Sequence, residues 1–149
     1  MVLDREWVEP KFQLARRDFD ISYTYDGYLI ASDRFKDAVE GSGARFAGLP
    51  AEPGYYVVEV DAIVRFDAQR RRTRFDKLCV ECGRYFGVSG ATPVFLLPGE
   101  IVPTGKLVRT DLEFGTGDEQ HPIVIAGASL ARHLEESALS GLSLRAIAG

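Results

Sequence analysis

The sequence predicts an α+β fold, a mostly antiparallel sheet with two short helices. Runs of β-branched and aromatic residues recur between frequent glycines and prolines, as in "YYVVEVDAIVRFD" at residues 55–67. Only two stretches, near residues 32–43 and 129–141, carry apolar residues at helical spacing. The chain has 149 residues, of which 46% are hydrophobic, so it can bury a core without disulfide bonds. We therefore predict a single domain spanning residues 1–149.

The first strand–helix unit lies at residues 27–43. "GYLIAS" predicts a strand, and the Ser32 hydroxyl that follows it can cap a helix by accepting from a free backbone N–H. Gly41 or Gly43 can end that helix in the left-handed conformation, and "ARFAGLP" predicts a second strand. Three apolar residues share one face of the helix: Phe35, Ala38 and Val39.

The remaining elements are mainly strands. Residues 55–67 predict one bent strand or two short ones, and "QRRRTRF" predicts a solvated hairpin tip or edge. "ATPVFLLP" at residues 91–98 and "KLVRTDLEF" at residues 106–114 predict two more strands. In the second of these, alternation places the more apolar residues on one side: Val108, Thr110, Leu112 and Phe114.

A second strand–helix unit begins with "PIVIAG" at residues 122–127. The helix "SLARHLEESALSG" follows, Gly141 is its predicted C′ residue, and "LSLRAI" predicts a closing strand. Its apolar stripe consists of Leu130, Ala131, Leu134 and Ala138. This unit echoes the first at equal spacing. Either the two units form a strand–helix–strand pseudo-repeat, or they are alike only because all strand–helix–strand units share this pattern.

Composition limits the function. The formal net charge of −4 and the pI near 5.2 argue against a nucleic-acid partner. No apolar run approaches the roughly 18 residues of a membrane span, and "MVLDREWVEP" lacks the apolar region of a secretory signal. Two cysteines do not form a disulfide framework. We therefore expect a cytoplasmic protein with reduced thiols, no membrane partner and no nucleic-acid partner.

The only two cysteines, Cys79 and Cys82, lie in "CVECGRYFG". Cys-x-x-Cys-Gly can bring two thiolates to one zinc ion, but a structural zinc needs four ligands. The other candidate ligands are His121, in a loop, and His133, on the polar side of a helix. A redox pair would need a helix after the first cysteine, and none is predicted. The leading interpretation is a tight turn with semi-buried thiols, for which replacing both would cost about 1–3 kcal/mol.

An acidic segment occupies "RTDLEFGTGDEQHP". Asp111, Glu113 and His121 can serve acid–base chemistry or bind a metal, or the segment is a solvated strand edge and loop. The sequence contains no G-x-S-x-G motif and only two histidines, so no nucleophile–base pair can be assembled. We predict no catalytic residues and no enzyme activity. We also predict no cofactor, with zinc at the cysteine pair as the one metal considered.

Several of these stretches resemble one protein family. "CVECGR", "LVRTDLEFGTGDEQHPIVIAG" and "LSGLSLRAI", with "YLIASDRFKDAVEGSGARFAGLPA" and "GYYVVEV" before them, resemble the double-CxxCG-motif family of myxobacterial immunity-type proteins. The resemblance spans residues 18–147 and is most specific at residues 109–122. The family name implies two CxxCG motifs, whereas this chain has only Cys79, Cys82 and Gly83. One of the two motifs is therefore missing.

The resemblance implies an immunity protein of a polymorphic toxin system, which binds and neutralises a cognate protein toxin inside the producing cell. An acidic chain would suit a basic toxin surface. The residues expected to bind the partner are the acids of residues 111–119: Asp111, Glu113, Asp118 and Glu119. The alternative is a small zinc- or metal-binding regulatory module that uses Cys79 and Cys82. The oligomeric state stays open.

Overall fold

The structure is a computed structural model that describes residues 19–24 and 26–147. The prediction of a single domain covers residues 1–149, so part of that prediction lies outside the described residues. The described part is an α+β fold dominated by antiparallel sheet, as predicted. Its strands are β1 Ile21–Tyr23, β2 Leu29–Ser32, β3 Arg45–Leu49, β4 Glu52–Glu59, β5 Ile63–Val64, β6 Arg74–Leu78, β7 Tyr85–Ser89, β8 Leu107–Thr116 and β9 His121–Ala126. Its helices are α1 Asp33–Ala38, α2 Ala68–Arg71 and α3 Ala128–Glu136.

The strands form two sheets. The first has the order β1-β2-β4-β3, and all its pairs are antiparallel. The second has the order β5-β8-β7-β6, with β9 paired to β8 as well. Its β5–β8 pair is parallel. Residues 55–67, predicted as one bent strand or two short ones, contribute to β4 in the first sheet and form β5 in the second.

Strand β8 lies between two hydrophobic clusters. Leu107 on one face packs in a cluster with Leu29, Val58 and both longer helices. Val108 and Phe114 on the other face pack in a second cluster with Val64 and Phe66. The prediction of one apolar face on this strand is therefore incomplete, since Leu107 is also buried.

The pairing of β8 with β9 is interrupted between Arg109 and Glu113. Thr110, which is fully buried, bridges this irregularity with its hydroxyl. The hydroxyl accepts from the N–H of Ile123 at 3.0 Å and donates to the carbonyl of Leu112 at 2.7 Å. Buried backbone groups at the break are thus satisfied.

The first predicted helix is confirmed in detail. The hydroxyl of Ser32 accepts from the backbone N–H of Phe35 at 3.3 Å and so caps α1. Beyond the helix, Gly41 has a φ of 78°, which a glycine adopts without strain. Phe35 and Val39 are both buried in the cluster that includes Leu107.

The second predicted helix ends earlier than expected. Helix α3 ends at Glu136, and Ala138 takes the left-handed conformation with a φ of 51°. The predicted C′ residue, Gly141, lies beyond the helix, so that assignment is wrong. The hydroxyl of Ser137 donates to the carbonyl of His133 at 2.7 Å. This carbonyl in the last turn of the helix thereby gains a hydrogen-bond partner.

Two predicted strands are absent from the described residues. Residues 91–98 make a single bridge, between Leu96 and Phe66, because Pro93 and Pro98 have no N–H to extend a ladder. "LSLRAI" pairs with no described strand, and Leu142 packs instead against the cluster around the helices. The pseudo-repeat therefore lacks its final strand in the second unit.

The stretch "QRRRTRF" also contains a short helix that the sequence did not predict. Asp67 caps α2, because its carboxylate accepts from the N–H of Arg70 at 3.0 Å. Arg72 ends the helix with a φ of 59°. The chain then enters β6, which is an edge strand, as predicted for this stretch.

Across residues 19–24 and 26–147, no helix has both the length and the apolar character needed to cross a lipid bilayer.

Candidate functional site

Strands β6 and β7 form a hairpin at the edge of the second sheet. Leu78 pairs with Tyr85, and the N–H of Cys79 donates to the carbonyl of Arg84 at 2.7 Å, which closes the tip. All five residues of β6 are exposed. An exposed edge strand presents backbone groups to which another chain can pair.

The hairpin exposes large apolar side chains, which we call the hairpin patch. Its members and their exposed fractions are Phe75 38%, Leu78 53%, Val80 90%, Tyr85 38% and Phe86 55%. The rings of Phe75 and Tyr85 lie 5.1 Å apart between centroids. Phe86 lies on the opposite side of β7 from Tyr85, because successive strand residues alternate, so the patch covers both faces of the hairpin. Exposed apolar and aromatic side chains concentrated on one element are typical of a protein-binding surface.

The segment that comprises the end of α2 and the hairpin is basic, although the chain is acidic. Residues 70–89 contain six cationic side chains and two acidic ones, a net charge of +4 in a chain of net charge −4. Half of its cations, Arg70, Arg71 and Arg72, belong to α2 and its C-cap, so residues 74–89 alone have a net charge of +1.

Lys77 lies with its ammonium 5.6 Å from the ring centroid of Phe86. Arg84 donates to Gln120 at 3.0 Å and contacts Glu113 at 3.4 Å. Lys77 therefore places a positive charge beside the hairpin patch, whereas Arg84 is paired with Glu113.

The two cysteines lie at the hairpin tip, and both are exposed. The backbone N–H of Cys82 lies 3.4 Å from Sγ of Cys79, and the N–H of Gly83 donates to the carbonyl of Cys79 at 2.8 Å. Gly83 has a φ of 72°, so the predicted need for glycine is confirmed as a backbone requirement. Hydrogen bonds from the Cys82 thiol, and then from the N–H groups of Cys82 and Glu81, lower the pKa of the Cys79 thiol.

The prediction of semi-buried thiols is wrong, while the prediction of a turn between two strands is confirmed. Because Cys79 and Cys82 are exposed, replacing both with Ser removes little packing. The expected loss in free energy of unfolding falls from about 1–3 kcal/mol to within about 0.5 kcal/mol, the usual scale for surface substitutions.

Two of the four acids predicted to bind a partner make contacts within the chain. The carboxylate of Asp111 accepts from the N–H of Phe66 at 2.9 Å. The side chain of Glu113 is 10% exposed and contacts Arg84. Asp111 therefore helps to hold the segment after β5, and Glu113 helps to hold the hairpin.

The other two acids, Asp118 and Glu119, are exposed on a single 3₁₀ turn, Gly117–Glu119. This turn lies beside the hairpin patch, since a methyl group at Gly117 would be 3.4 Å from the ring of Phe86. The two acids therefore border the patch on its acidic side.

Gln120 joins the turn to the hairpin. It is 6% exposed, and its side-chain amide donates to the carbonyls of Tyr85 at 2.8 Å and Phe86 at 3.0 Å. Its side-chain oxygen accepts from Arg84. One buried amide thus fixes the tip end of β7 against the turn that carries Asp118 and Glu119.

The residues considered for acid–base chemistry face different partners. Asp111 contacts Phe66 and Glu113 contacts Arg84, as described above. His121 stacks on Tyr23 with 3.7 Å between ring centroids. His133 is exposed on α3, as predicted. In the described part of the chain, no three His, Cys, Asp or Glu side chains are grouped to hold a metal ion.

Two small clefts lie elsewhere. One of about 160 Å³ includes Tyr23, Glu59 and Arg109, and another of about 200 Å³ includes Phe35 and Leu134. Both fall below the roughly 300–1,000 Å³ typical of small-molecule sites. The geometry therefore favours the exposed hairpin over either cleft as the functional surface.

Sequence reasoning missed the hairpin patch and Gln120. The apolar residues of "RFDKLCVECGRYF" are those of an ordinary strand, and only the three-dimensional structure leaves them uncovered. The signal that was present is the density of basic residues beside them, which is unusual for a strand that packs into a core.

The sequence matches no family model, and no curated protein or solved structure matches it. The resemblance to the double-CxxCG-motif family therefore stays a prediction from sequence.

Proposed function

We propose that this protein is a cytoplasmic immunity protein, which binds a cognate toxin through direct contact at the hairpin patch. The observation that carries the proposal is the hairpin itself, an edge-strand element with five exposed large apolar side chains. The family resemblance supplies the class of partner. Neutralisation by occlusion needs affinity and shape, and no catalytic group.

The composition of the patch suits a protein partner. Tyr and other aromatic side chains at the centre of an interface carry much of its binding energy, and a polar rim excludes water around them. Phe75, Tyr85 and Phe86 supply the aromatic part here. Arg74 and Lys77 on β6 supply exposed charge beside them.

The charges indicate what the toxin would present. The basic segment of α2 and the hairpin complements an acidic surface with an apolar centre, whereas Asp118 and Glu119 complement a basic contact on one side. The expected partner surface is therefore mixed. This differs from the basic toxin surface that the net charge of the whole chain predicts.

Co-expression tests the proposal. The product of the neighbouring open reading frame is expressed in a heterologous bacterium with and without this protein, and growth is measured. The proposal predicts that toxicity is lost when this protein is present and that the two proteins co-purify. Unchanged toxicity with this protein expressed in soluble form would contradict it.

A second candidate function is a small metal-binding module. It is favoured by the tip geometry, in which two exposed thiols face solvent and an N–H points to Sγ of Cys79. Such N–H groups stabilise thiolates, the form that binds zinc. Elemental analysis of the purified protein tests it, and less than about a tenth of an equivalent of zinc, far short of a structural site, would exclude it.

A further inference from the structure

The turn at the hairpin tip holds half of a tetrahedral metal site. Cys79 and Cys82 are both exposed, and Gly83 with its positive φ lets the chain curl past the two sulfur atoms. The carbonyl of Cys79 accepts from Gly83, which keeps the turn closed without any metal. Two thiolate ligands are thus arranged before an ion binds.

The described part of the chain does not supply the other two ligands that a tetrahedral zinc needs. A structural zinc takes four ligands, and no third donor is grouped with the two thiols there. Of the two histidines, His121 is stacked on Tyr23, with Nδ1 3.0 Å from the carbonyl of Pro122. His133 is on α3, which packs against the other cluster of the fold.

A second copy of the chain can supply the two missing zinc ligands. Two tips related by a twofold axis can bring four sulfur atoms, two symmetry-related pairs, around one ion, since a twofold interface is self-complementary. The exposed apolar residues next to Cys79 in the chain, Leu78 and Val80, would then be covered by the same residues of the partner copy.

Charge supports a metal-dependent pairing. The cationic side chains closest to the cysteines in the sequence are Lys77 and Arg84. A zinc ion with four thiolates carries a net charge of −2, which Lys77 and Arg84 of both copies would offset. The ion therefore supplies the bonds that join the two copies, and nearby cations offset the charge of the complex.

We propose that two copies of this protein share one zinc ion through Cys79 and Cys82 of each. This inference rests on the second candidate function, the metal-binding module. Binding forms four zinc–sulfur bonds and releases to solvent the protons of whichever thiols are not already ionised. Because the pairing would cover the hairpin patch, the zinc-bound pair and the toxin complex exclude each other.

The test uses the full chain, kept reduced, stripped of metal with a chelator and then titrated with zinc. Zinc per chain is measured by elemental analysis, and mass is measured by light scattering. The proposal predicts one zinc ion for two chains and a mass of twice 16.5 kDa. The Cys79→Ser and Cys82→Ser variants are expected to stay monomeric, while His121→Ala and His133→Ala still pair.

Each other outcome overturns the proposal in a recognisable way. One zinc ion per monomer would overturn the shared site but leave the metal-binding module standing. No zinc uptake would overturn both. Pairing that is equally strong in the chelator, or that is lost in a histidine variant, would show that the four cysteines are not the ligands that join the copies. Neutralisation of a toxin is measured separately and depends on none of these results.

Discussion

At the residue scale, Asp20 joins three distant parts of the chain. It is 6% exposed, and its carboxylate accepts from the hydroxyl of Ser32 at 2.7 Å and from the N–H of Ser140 at 2.9 Å. Arg34 lies 3.3 Å away. Burial raises the pKa of Asp20, but the hydrogen bonds and the charge of Arg34 outweigh it, so the pKa falls below its ordinary value.

This pKa shift predicts a pH-dependent stability. A carboxyl group with a lowered folded-state pKa stabilises the fold fully above its unfolded pKa, near 3.8, and this contribution is lost as the pH falls through the folded value. Asp20→Asn should therefore lower the free energy of unfolding by about 1–3 kcal/mol at neutral pH. Below about pH 3.8, the gap between the variant and the wild type should narrow.

Urea unfolding at pH 7 and near pH 3 measures that gap, with the exposed Asp26 changed to Asn as the control. The control should match the wild type at both pH values. A gap for Asp20→Asn that stays the same at both would contradict the assignment of the buried, ionised carboxylate.

The roles of residues whose partners are close in sequence were predictable, whereas roles that depend on partners far along the chain were not. The cap at Ser32 was found because its partner is three residues away. The role of Asp20 depends on partners 12 and 120 residues away, which no local pattern reveals. The thiols were predicted to be semi-buried from their apolar character, but the turn that holds them projects beyond the sheet.

At the element scale, periodicity located most strands and both longer helices. It failed at residues 91–98, where apolar character predicted a strand that two prolines limit to a single bridge. It also missed α2, a short helix that begins at the cap Asp67. It predicted a solvated hairpin tip or edge where β6 begins, but not the exposed apolar side chains of the hairpin, because exposure depends on what packs against a strand.

The hairpin depends on Gln120 for its position. Gln120→Ala would leave the carbonyls of Tyr85 and Phe86 without the side-chain donor that bridges them, at a cost of about 1–3 kcal/mol in the free energy of unfolding. Amide hydrogen exchange should also speed up in β7 relative to β4, because the hairpin loses a tertiary anchor.

The matched control is Gln69→Ala on the exposed α2. It should change neither the unfolding free energy nor the exchange of β7 beyond the scale of surface substitutions, about 0.5 kcal/mol. Equal effects of the two glutamine changes would contradict the anchoring role of Gln120.

At the scale of the whole molecule, the net charge is acidic although residues 70–89 are basic. The two sheets and the helices α1 and α3 bury their apolar residues in shared clusters, while the hairpin leaves its own uncovered. The fold class follows from patterning along the chain. The location of the candidate surface does not, because it depends on which residues the rest of the fold fails to cover.

The affinity for the toxin reports on the proposed binding surface, the hairpin patch. Val80, 90% exposed at the tip, and Ile101, 78% exposed in a loop outside the hairpin, are matched sites for substitution by Asp. Binding of the neighbouring gene's product to each protein is measured by calorimetry in the presence of a metal chelator. The account predicts that Val80→Asp weakens binding at least about tenfold, or about 1.4 kcal/mol, whereas Ile101→Asp leaves it unchanged. Equal affinity of both variants and the wild type would contradict it.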